Sequence, residues 1–325
     1  MPSYWKKYPE IEKQIEAVCN LIEERSQLRN KDIQDAIISL SRAGGKYLRP
    51  AFFFLFSQFG KIKDNDEQLV KIAASLEILH MATLIHDDVI DNSPLRRGNS
   101  TIQASLGKDV AVYSGDFLFT IFFELIIEAV EGTPFIAINS KAMKKILLGE
   151  LDQMHLYFNQ DQEVEDYLQA ISGKTAELFK LASLEGAYFG GADDQVVELA
   201  GKIGYNIGIT FQILDDILDY TADKKTFNKP VLEDLPNGVY SLPLLYALKN
   251  NPSQIKPLLD KQKSMTQEDL EKVSQLVIDN DGVKEAKELA RQYTEKAVSD
   301  IEKLPNIKAR KQLLQLTNQL LKRHI

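Results

Sequence analysis

The stretch His86-Asp87-Asp88-Val89-Ile90-Asp91, followed shortly by Arg96-Arg97-Gly98, closes an apolar run of helical period that begins near Leu69. On a helix, Asp87 and Asp91 fall at i and i+4 and Asp88 and Asp91 at i and i+3, all on one face. Three carboxylates at a helix C-terminus repel one another and oppose the macrodipole, so positive charge is expected beside them. Clustered hard oxygen donors suit Mg2+, which takes one or two carboxylates and completes its shell with water and substrate phosphates. Alone, such a stretch reads first as a solvated acidic turn. A second stretch, Asp215-Asp216-Ile217-Leu218-Asp219, has the same spacing and follows Phe211-Gln212 in another apolar helix. Its flanks differ from those of the first, so this is no internal repeat. Two such helices facing each other across a bundle would let the carboxylates share several divalent ions.

The rest of the chain bounds what such a site is built into. No Pro, Gly or Ser-rich linker divides the 325 residues, which predicts one continuous helical domain over 1–325. A net charge of −8 argues against a nucleic-acid partner but leaves a phosphorylated substrate open, because local basic residues override a global deficit. The single cysteine, Cys19, excludes a disulfide framework and a multi-cysteine metal site and fits a reducing compartment. No targeting segment is visible at the start. The longest apolar run, Phe117 to Val130, is interrupted by Glu124 and Glu128 and falls short of the ~20 residues that span a bilayer. A cytoplasmic protein with at most peripheral membrane contact is expected.

Taken in order, the chain reads as helix after helix. Two outer helices lead to Ser41-Arg42-Ala43-Gly44-Gly45-Lys46-Tyr47-Leu48-Arg49-Pro50, where glycines permit a tight turn, Pro50 can open a helix, and Lys46 and Arg49 bracket a candidate phosphate cradle. The run Ala51 to Phe56 belongs in the core. Next comes the helix from about Asp66 to Asp91, in which His80 reads either as a core histidine or as a ligand. The loop from Asn92 to Thr101 carries Arg96 and Arg97, suited to bidentate phosphate recognition. Helices are predicted over Lys108 to Val130 and Pro134 to Tyr157, and from near Glu163. Ser172-Gly173-Lys174-Thr175-Ala176 interrupts that last pattern and predicts a local kink, with Lys174 and Thr175 offering donors to a phosphate. Gly-Lys-Thr also ends nucleotide phosphate loops, but neither the upstream glycine nor a preceding strand is present. A helix from Asp194 to Tyr220 bears the second acidic stretch, and the polar segment Thr221 to Gly238, with Lys229, has the length of a functional flap.

The ordered set of Gly-Gly-Lys-x-Leu-Arg-Pro, both aspartate-rich stretches, the arginine pair, Gly-Lys-Thr-Ala and Phe-Gln-x-x-Asp-Asp resembles the trans-isoprenyl diphosphate synthases of the polyprenyl synthetase family, from about Ser41 to Leu248. The resemblance implies an all-α, single-domain antiparallel helical bundle or barrel around a deep central cavity. It implies that Lys46, Arg49, His80 and Arg97 bind isopentenyl diphosphate, and that Arg96, Lys174 and Lys229 bind an allylic diphosphate. Asp87, Asp88 and Asp91 would share two Mg2+ ions and Asp215, with Asp219, hold a third, supported by Asp216. Lys174, Thr175 and Gln212 form the implied catalytic set, with Thr175 and Gln212 stabilising the allylic cation. The chemistry expected is ionisation of the allylic diphosphate, attack by the isopentenyl double bond, and loss of a proton, with no enzyme nucleophile.

Product length rests on Leu79, Ala82 and Thr83. Short-chain members place bulky aromatic side chains four or five positions before the first aspartate, and this chain has Ala82 and Thr83 there. A helix of about 20 residues spans ~30 Å, room for a product of about C30 to C45. Alternatively Leu79, Met81 or the Phe52 to Phe56 cluster forms another floor and stops the product at about C15 to C20. His-Met-Ala-Thr before the motif resembles catalytic subunits of bacterial hexaprenyl and heptaprenyl synthases, so the chain is expected to be a homodimer or to work with a small partner subunit. Tyr47, Asn228 and the Leu232-Glu233 pair depart from the family pattern, and the last two put the role of Lys229 in question. A terpene cyclase is disfavoured by the intact second aspartate stretch. A non-catalytic diphosphate-binding or regulatory subunit would leave the complete set of ligands unexplained.

Overall fold

The computed structural model describes residues 5–43, 45–62, 66–221, 232 and 234–322. Helices dominate: α1 (Pro9–Arg25), α2 (Lys31–Arg42), α3 (Leu48–Ser57), α4 (Asp66–Ile90), α5 (Ile102–Leu106), α6 (Lys108–Val130), α7 (Phe135–His155), α8 (Val164–Ile171), α9 (Glu177–Phe189), α10 (Asp194–Thr221), α11 (Leu242–Asn250), α12 (Pro252–Leu259), α13 (Gln267–Asp279), α14 (Gly282–Lys303) and α15 (Lys308–Lys322). A π-helical turn at Ser172–Ala176 joins α8 to α9, at the place where the sequence predicts a kink. The sheet among the described residues is one hairpin, β1 (Leu95–Arg96) and β2 (Asn99–Ser100). The all-α expectation holds.

The chain forms two compact units, one of Met1–Ser140 with Ala182–Glu198, the other of Lys141–Leu181 with Leu199–Ile325. In the first, α4 packs along α6 and against α1 and α3. That many-sided contact explains why α4 is buried continuously from Ile72 to Leu79 rather than along one stripe. In α3 every residue but Arg49 is buried, and each phenylalanine there contributes about 2 kcal/mol by leaving water. The helix begins at Leu48, two residues before Pro50, because Tyr47 takes the left-handed conformation and turns the chain into it.

The second unit sets α11 against α8, α12, α13 and α14, with α15 on α14. Capping boxes start two of these helices, through Glu163 and Asp166 for α8 and through Thr266 and Asp269 for α13.

Among the described residues, α4 and α6 have the length and composition to cross a bilayer. At 23 residues, α6 exceeds the Phe117 to Val130 run picked out by sequence. The apolar residues of α4 are largely buried in its unit, with Ile90 at its end exposed, whereas α6 leaves Tyr113, Phe123 and Ile127 exposed.

Candidate active site

The first acidic stretch ends α4. Asp91 N–H donates to the Asp87 carbonyl at 2.8 Å and Ser93 N–H to the Asp88 carbonyl at 3.0 Å, and Asn92 turns left-handed to stop the helix. No basic residue stands in the last turn. The three carboxylates then diverge in environment: Asp88 is buried and accepts a 2.7 Å hydrogen bond from Nε of Arg96, Asp87 is half-buried, and Asp91 is exposed. Burial raises the Asp88 carboxyl and the Arg96 guanidinium opposes that rise. His86 is held by α6, stacked edge-on against Phe119 with Nε2 3.2 Å from the Val112 carbonyl.

Arg96 and Arg97 sit on a hairpin where the sequence suggests only a loop. Leu95 pairs with Ser100 and Arg96 with Asn99, and the two turn residues, Arg97 and Gly98, have φ of 52° and 82°. Positive φ at both positions is the geometry of a tight two-residue turn matched to strand twist, and for arginine it costs roughly 1 kcal/mol. The turn sends the Arg97 side chain to Gly45, where a Cβ would come within 2.5 Å of Nη1. A side chain at position 45 would displace the Arg97 guanidinium from this place. The neighbouring segment is fixed by Trp5, which donates from Nε1 to the Lys46 carbonyl at 2.6 Å, and by Tyr47, whose hydroxyl donates to the Ser41 carbonyl at 2.7 Å.

Arg49, Arg97 and His80 act on one another electrostatically, together with a residue absent from the sequence reading, Glu77. Glu77 lies three residues before His80 on α4 and is 5 % exposed. Burial raises its carboxyl, while Arg49 and Arg97 pull it back. Burial likewise lowers Arg49 to about 10, with Glu77 opposing and Arg97 adding, so the guanidinium stays charged at neutral pH. His80 is pushed well below its ordinary value by burial and then by Arg49, Arg97 and Arg96. A neutral imidazole between guanidinium groups offers a hydrogen bond rather than charge.

In the second unit the π turn brings Lys174 and Thr175 to α7 and α10. A Cβ on Gly173 would lie 2.5 Å from the Lys145 carbonyl, and one on Gly149 2.4 Å from the Lys174 nitrogen, so paired glycines allow the backbones to touch. Lys174 donates to Glu150 Oε2 at 2.8 Å and to Gln153 Oε1 at 3.1 Å. The Thr175 hydroxyl donates to Gln212 Oε1 at 2.8 Å, Gln212 Nε2 donates to Asp216 Oδ1 at 2.8 Å, and the Tyr167 hydroxyl donates to Asp216 Oδ2 at 2.6 Å. Asp216 is buried, which pushes its carboxyl up to about 7 against the pull of Tyr167 and Gln212, while Asp215 and Asp219 are exposed. Glu150, Gln153 and Tyr167, like Glu77, escape motif reading. The signal available for Glu77 was one acid inside a largely apolar run.

The donor set fits Mg2+ of the substrate-completed kind. Among the described residues no three His, Cys, Asp or Glu side chains form a ready-made metal cage, and both oxygens of Asp216 are occupied by protein donors. Asp91, Asp215 and Asp219 are exposed and Asp87 is half-buried, the accessibility a hydrated ion with substrate phosphates needs. Of the chain-length residues, Leu79 and Ala82 are buried and Thr83 is half-buried, its hydroxyl donating to the His80 carbonyl. Lys229 lies outside the described residues. An open cavity of about 490 Å3 in the second unit, lined by residues such as Glu163, Tyr246 and Lys256, contains none of the predicted site residues.

Comparison with known proteins identifies the family. The family model described as polyprenyl synthetase matches residues 30–277. Heptaprenyl diphosphate synthase component 2 of Bacillus subtilis (strain 168) is 36 % identical over 292 residues, 90 % of this chain and 82 % of the relative. The crystal structure of geranylgeranyl pyrophosphate synthase from Lactobacillus brevis superposes with a TM-score of 0.94 at 46 % identity, covering 99 % of both chains. That of heptaprenyl diphosphate synthase from Staphylococcus aureus does so with a TM-score of 0.91 at 34 % identity, covering 97 % of this chain and 99 % of the other. The chain belongs to the polyprenyl synthetase family and is a prenyltransferase.

Proposed function

We propose that the chain is a Mg2+-dependent, long-chain trans-polyprenyl diphosphate synthase that condenses isopentenyl diphosphate with an allylic diphosphate. The observation that carries this reading is that each of the two acidic stretches has one buried, hydrogen-bonded carboxylate flanked by two more accessible ones, and that each unit also holds cationic side chains suited to a diphosphate. Residues 1–325 act as one domain in this reading, since the family match spans parts of both units.

Isopentenyl diphosphate is assigned to Lys46, Arg49, His80 and Arg97, where two guanidinium groups supply charge and the neutral imidazole a directed hydrogen bond. The allylic diphosphate is assigned to Arg96 and Lys174, with Lys229 a further candidate. Both cations are held by carboxylates, Asp88 and Glu150, that a diphosphate would share or displace. Asp87, Asp91, Asp215 and Asp219, with Asp88 and Asp216 behind them, would hold Mg2+, which when bound would supply the charge that makes diphosphate a leaving group. Thr175 donates its proton to Gln212, so its oxygen lone pairs and the second lone pair of Gln212 Oε1 are the groups available to an allylic cation. The isopentenyl double bond closes the new C–C bond, and the departing diphosphate accepts the proton lost next.

Small residues at Ala82 and Thr83 favour a product of about C30 to C45, as does the likeness to heptaprenyl synthases. The 46 % identity to a geranylgeranyl synthase favours a second reading, a short-chain product of about C20 with the α3 phenylalanines as floor. The Bacillus relative is named as one component of its synthase, which motivates assay with and without a small partner subunit. The exposed apolar face of α6 suits a homodimer, and the buried Cys19 a reducing, cytoplasmic setting.

The test is incubation of the purified chain with farnesyl diphosphate, isopentenyl diphosphate and Mg2+, with products resolved by length. Products of about C30 or longer support the long-chain reading. Products that stop at about C20 establish the short-chain reading, and absent turnover contradicts self-sufficiency.

A further inference from the structure

We infer that Tyr167 is a positioning residue for the cation-stabilising pair: it occupies one oxygen of Asp216 so that the other holds the Gln212 carboxamide with its oxygen, beside that of Thr175, toward the reacting carbon. The inference rests on the assignment of Thr175 and Gln212 to the allylic cation. It deepens that assignment by explaining what fixes the direction of a side chain whose two ends have opposite polarity.

A carboxamide can turn over with almost no change of shape, and the turned form presents NH2 to a cation where the first presents oxygen. In this protein the choice is set by a four-member chain across three helical segments. Tyr167 on α8 donates to Asp216 Oδ2 at 2.6 Å, Gln212 on α10 donates from Nε2 to Asp216 Oδ1 at 2.8 Å, and Thr175 in the π turn donates to Gln212 Oε1 at 2.8 Å. Asp216 is an acceptor on both oxygens and is only 9 % exposed, so losing one of its donors costs it a hydrogen bond in a largely dry place. Tyr167, itself 5 % exposed, is packed in place by its ring, so its hydroxyl is delivered to Asp216 with little freedom to move. Asp216 differs in this from its counterparts Asp215 and Asp219, which are exposed. Its part in the second acidic stretch is to orient Gln212, with Tyr167 as the anchor.

The test compares Tyr167→Phe, which keeps the ring and removes the hydroxyl, with Thr175→Val and the double variant. Steady-state kinetics give kcat, KM for both diphosphates and half-saturating Mg2+, while released allylic alcohol reports cations captured by water. The expected result for Tyr167→Phe is a fall in kcat of about tenfold, KM values and Mg2+ dependence within about twofold of the parent, and a larger share of alcohol. The double variant should be no slower than about threefold below the slower single variant, because both substitutions loosen one chain of bonds. Unchanged kcat in Tyr167→Phe alongside a slowed Thr175→Val overturns the inference alone. So does a loss matched by an equal rise in half-saturating Mg2+. Unchanged kcat in Thr175→Val overturns the assignment of the pair on which the inference stands.

Discussion

The two acidic stretches share a sequence and differ in what holds them. In α4 the inner carboxylate, Asp88, is tied to a charged group, Arg96, on a hairpin that also carries Arg97. In α10 the inner carboxylate, Asp216, is tied to neutral donors, Tyr167 and Gln212. A charged partner offsets the negative charge of a helix end, whereas neutral donors bring no counter-charge and fix orientation instead. In the proposed function the same five-residue pattern therefore serves two ends: in the first unit it belongs to a diphosphate site, in the second it aligns a carboxamide. In both, the first and last aspartates are left more open than the one beside the first.

The largest effect is expected where an open carboxylate is removed. Asp87→Ala should lower turnover by about a thousandfold with an unaltered melting curve, because the charge needed for ionisation is lost without a buried group being disturbed. Turnover within about tenfold of the parent at saturating Mg2+ would remove Asp87 from the metal site.

Next in size is the counter-charge behind the first stretch. Glu77→Gln leaves Arg49 and Arg97 without their buried partner and should destabilise the fold by roughly 3 kcal/mol while raising KM for isopentenyl diphosphate more than KM for the allylic substrate. Equal effects on both KM values would place Glu77 outside that pocket.

The comparison is sharpened by the residues preceding each motif. Four residues before Asp215 stands Phe211, whose ring lies 5.7 Å from that of Phe179, and five residues before Asp87 stands Ala82. Ala82→Phe gives α4 an aromatic one residue before the position that matches Phe211, and product analysis should show chains shortened by one or more isoprene units. An unaltered product spectrum would move the tunnel away from this face of α4.

The smallest effect concerns the buried acids of the two units. Asp216 has two donors, but Glu185 in α9 has one, Asn139 Nδ2 at 2.5 Å, and its Oε2 has no hydrogen-bond partner among the described residues. Burial pushes Glu185 from 4.5 up to about 8. A raised folded-state value means that its contribution to stability is complete below pH 4.5 and is lost as pH rises through about 8. Melting temperature should therefore fall across that interval, and fall less in Glu185→Gln. Equal slopes for parent and variant would show that Glu185 is ionised throughout.

Much of this was legible in the residues. Helical periodicity located α4, α6 and α10 nearly to their ends, because long buried helices repeat their pattern many times. Glycine inside a helical pattern marked the π turn. What escaped depends on partners distant in sequence: nothing local to Tyr167 says that it reaches Asp216, or local to Glu77 that two arginines surround it. The start of α3 was misplaced because proline is tolerated throughout the first turn, not at one position only. The Arg97-Gly98 turn was readable only as a loop, since arginine is an uncommon residue at positive φ.

The most direct measurement is the Mg2+ dependence of turnover in the parent, Asp91→Asn and Asp216→Asn, taken at saturating concentrations of both diphosphates. The prediction is that Asp91→Asn raises half-saturating Mg2+ by about tenfold, while Asp216→Asn lowers kcat with the Mg2+ curve unmoved. A Mg2+ curve displaced by Asp216→Asn and not by Asp91→Asn would contradict the division between open carboxylates that meet the ions and inward ones that hold the protein.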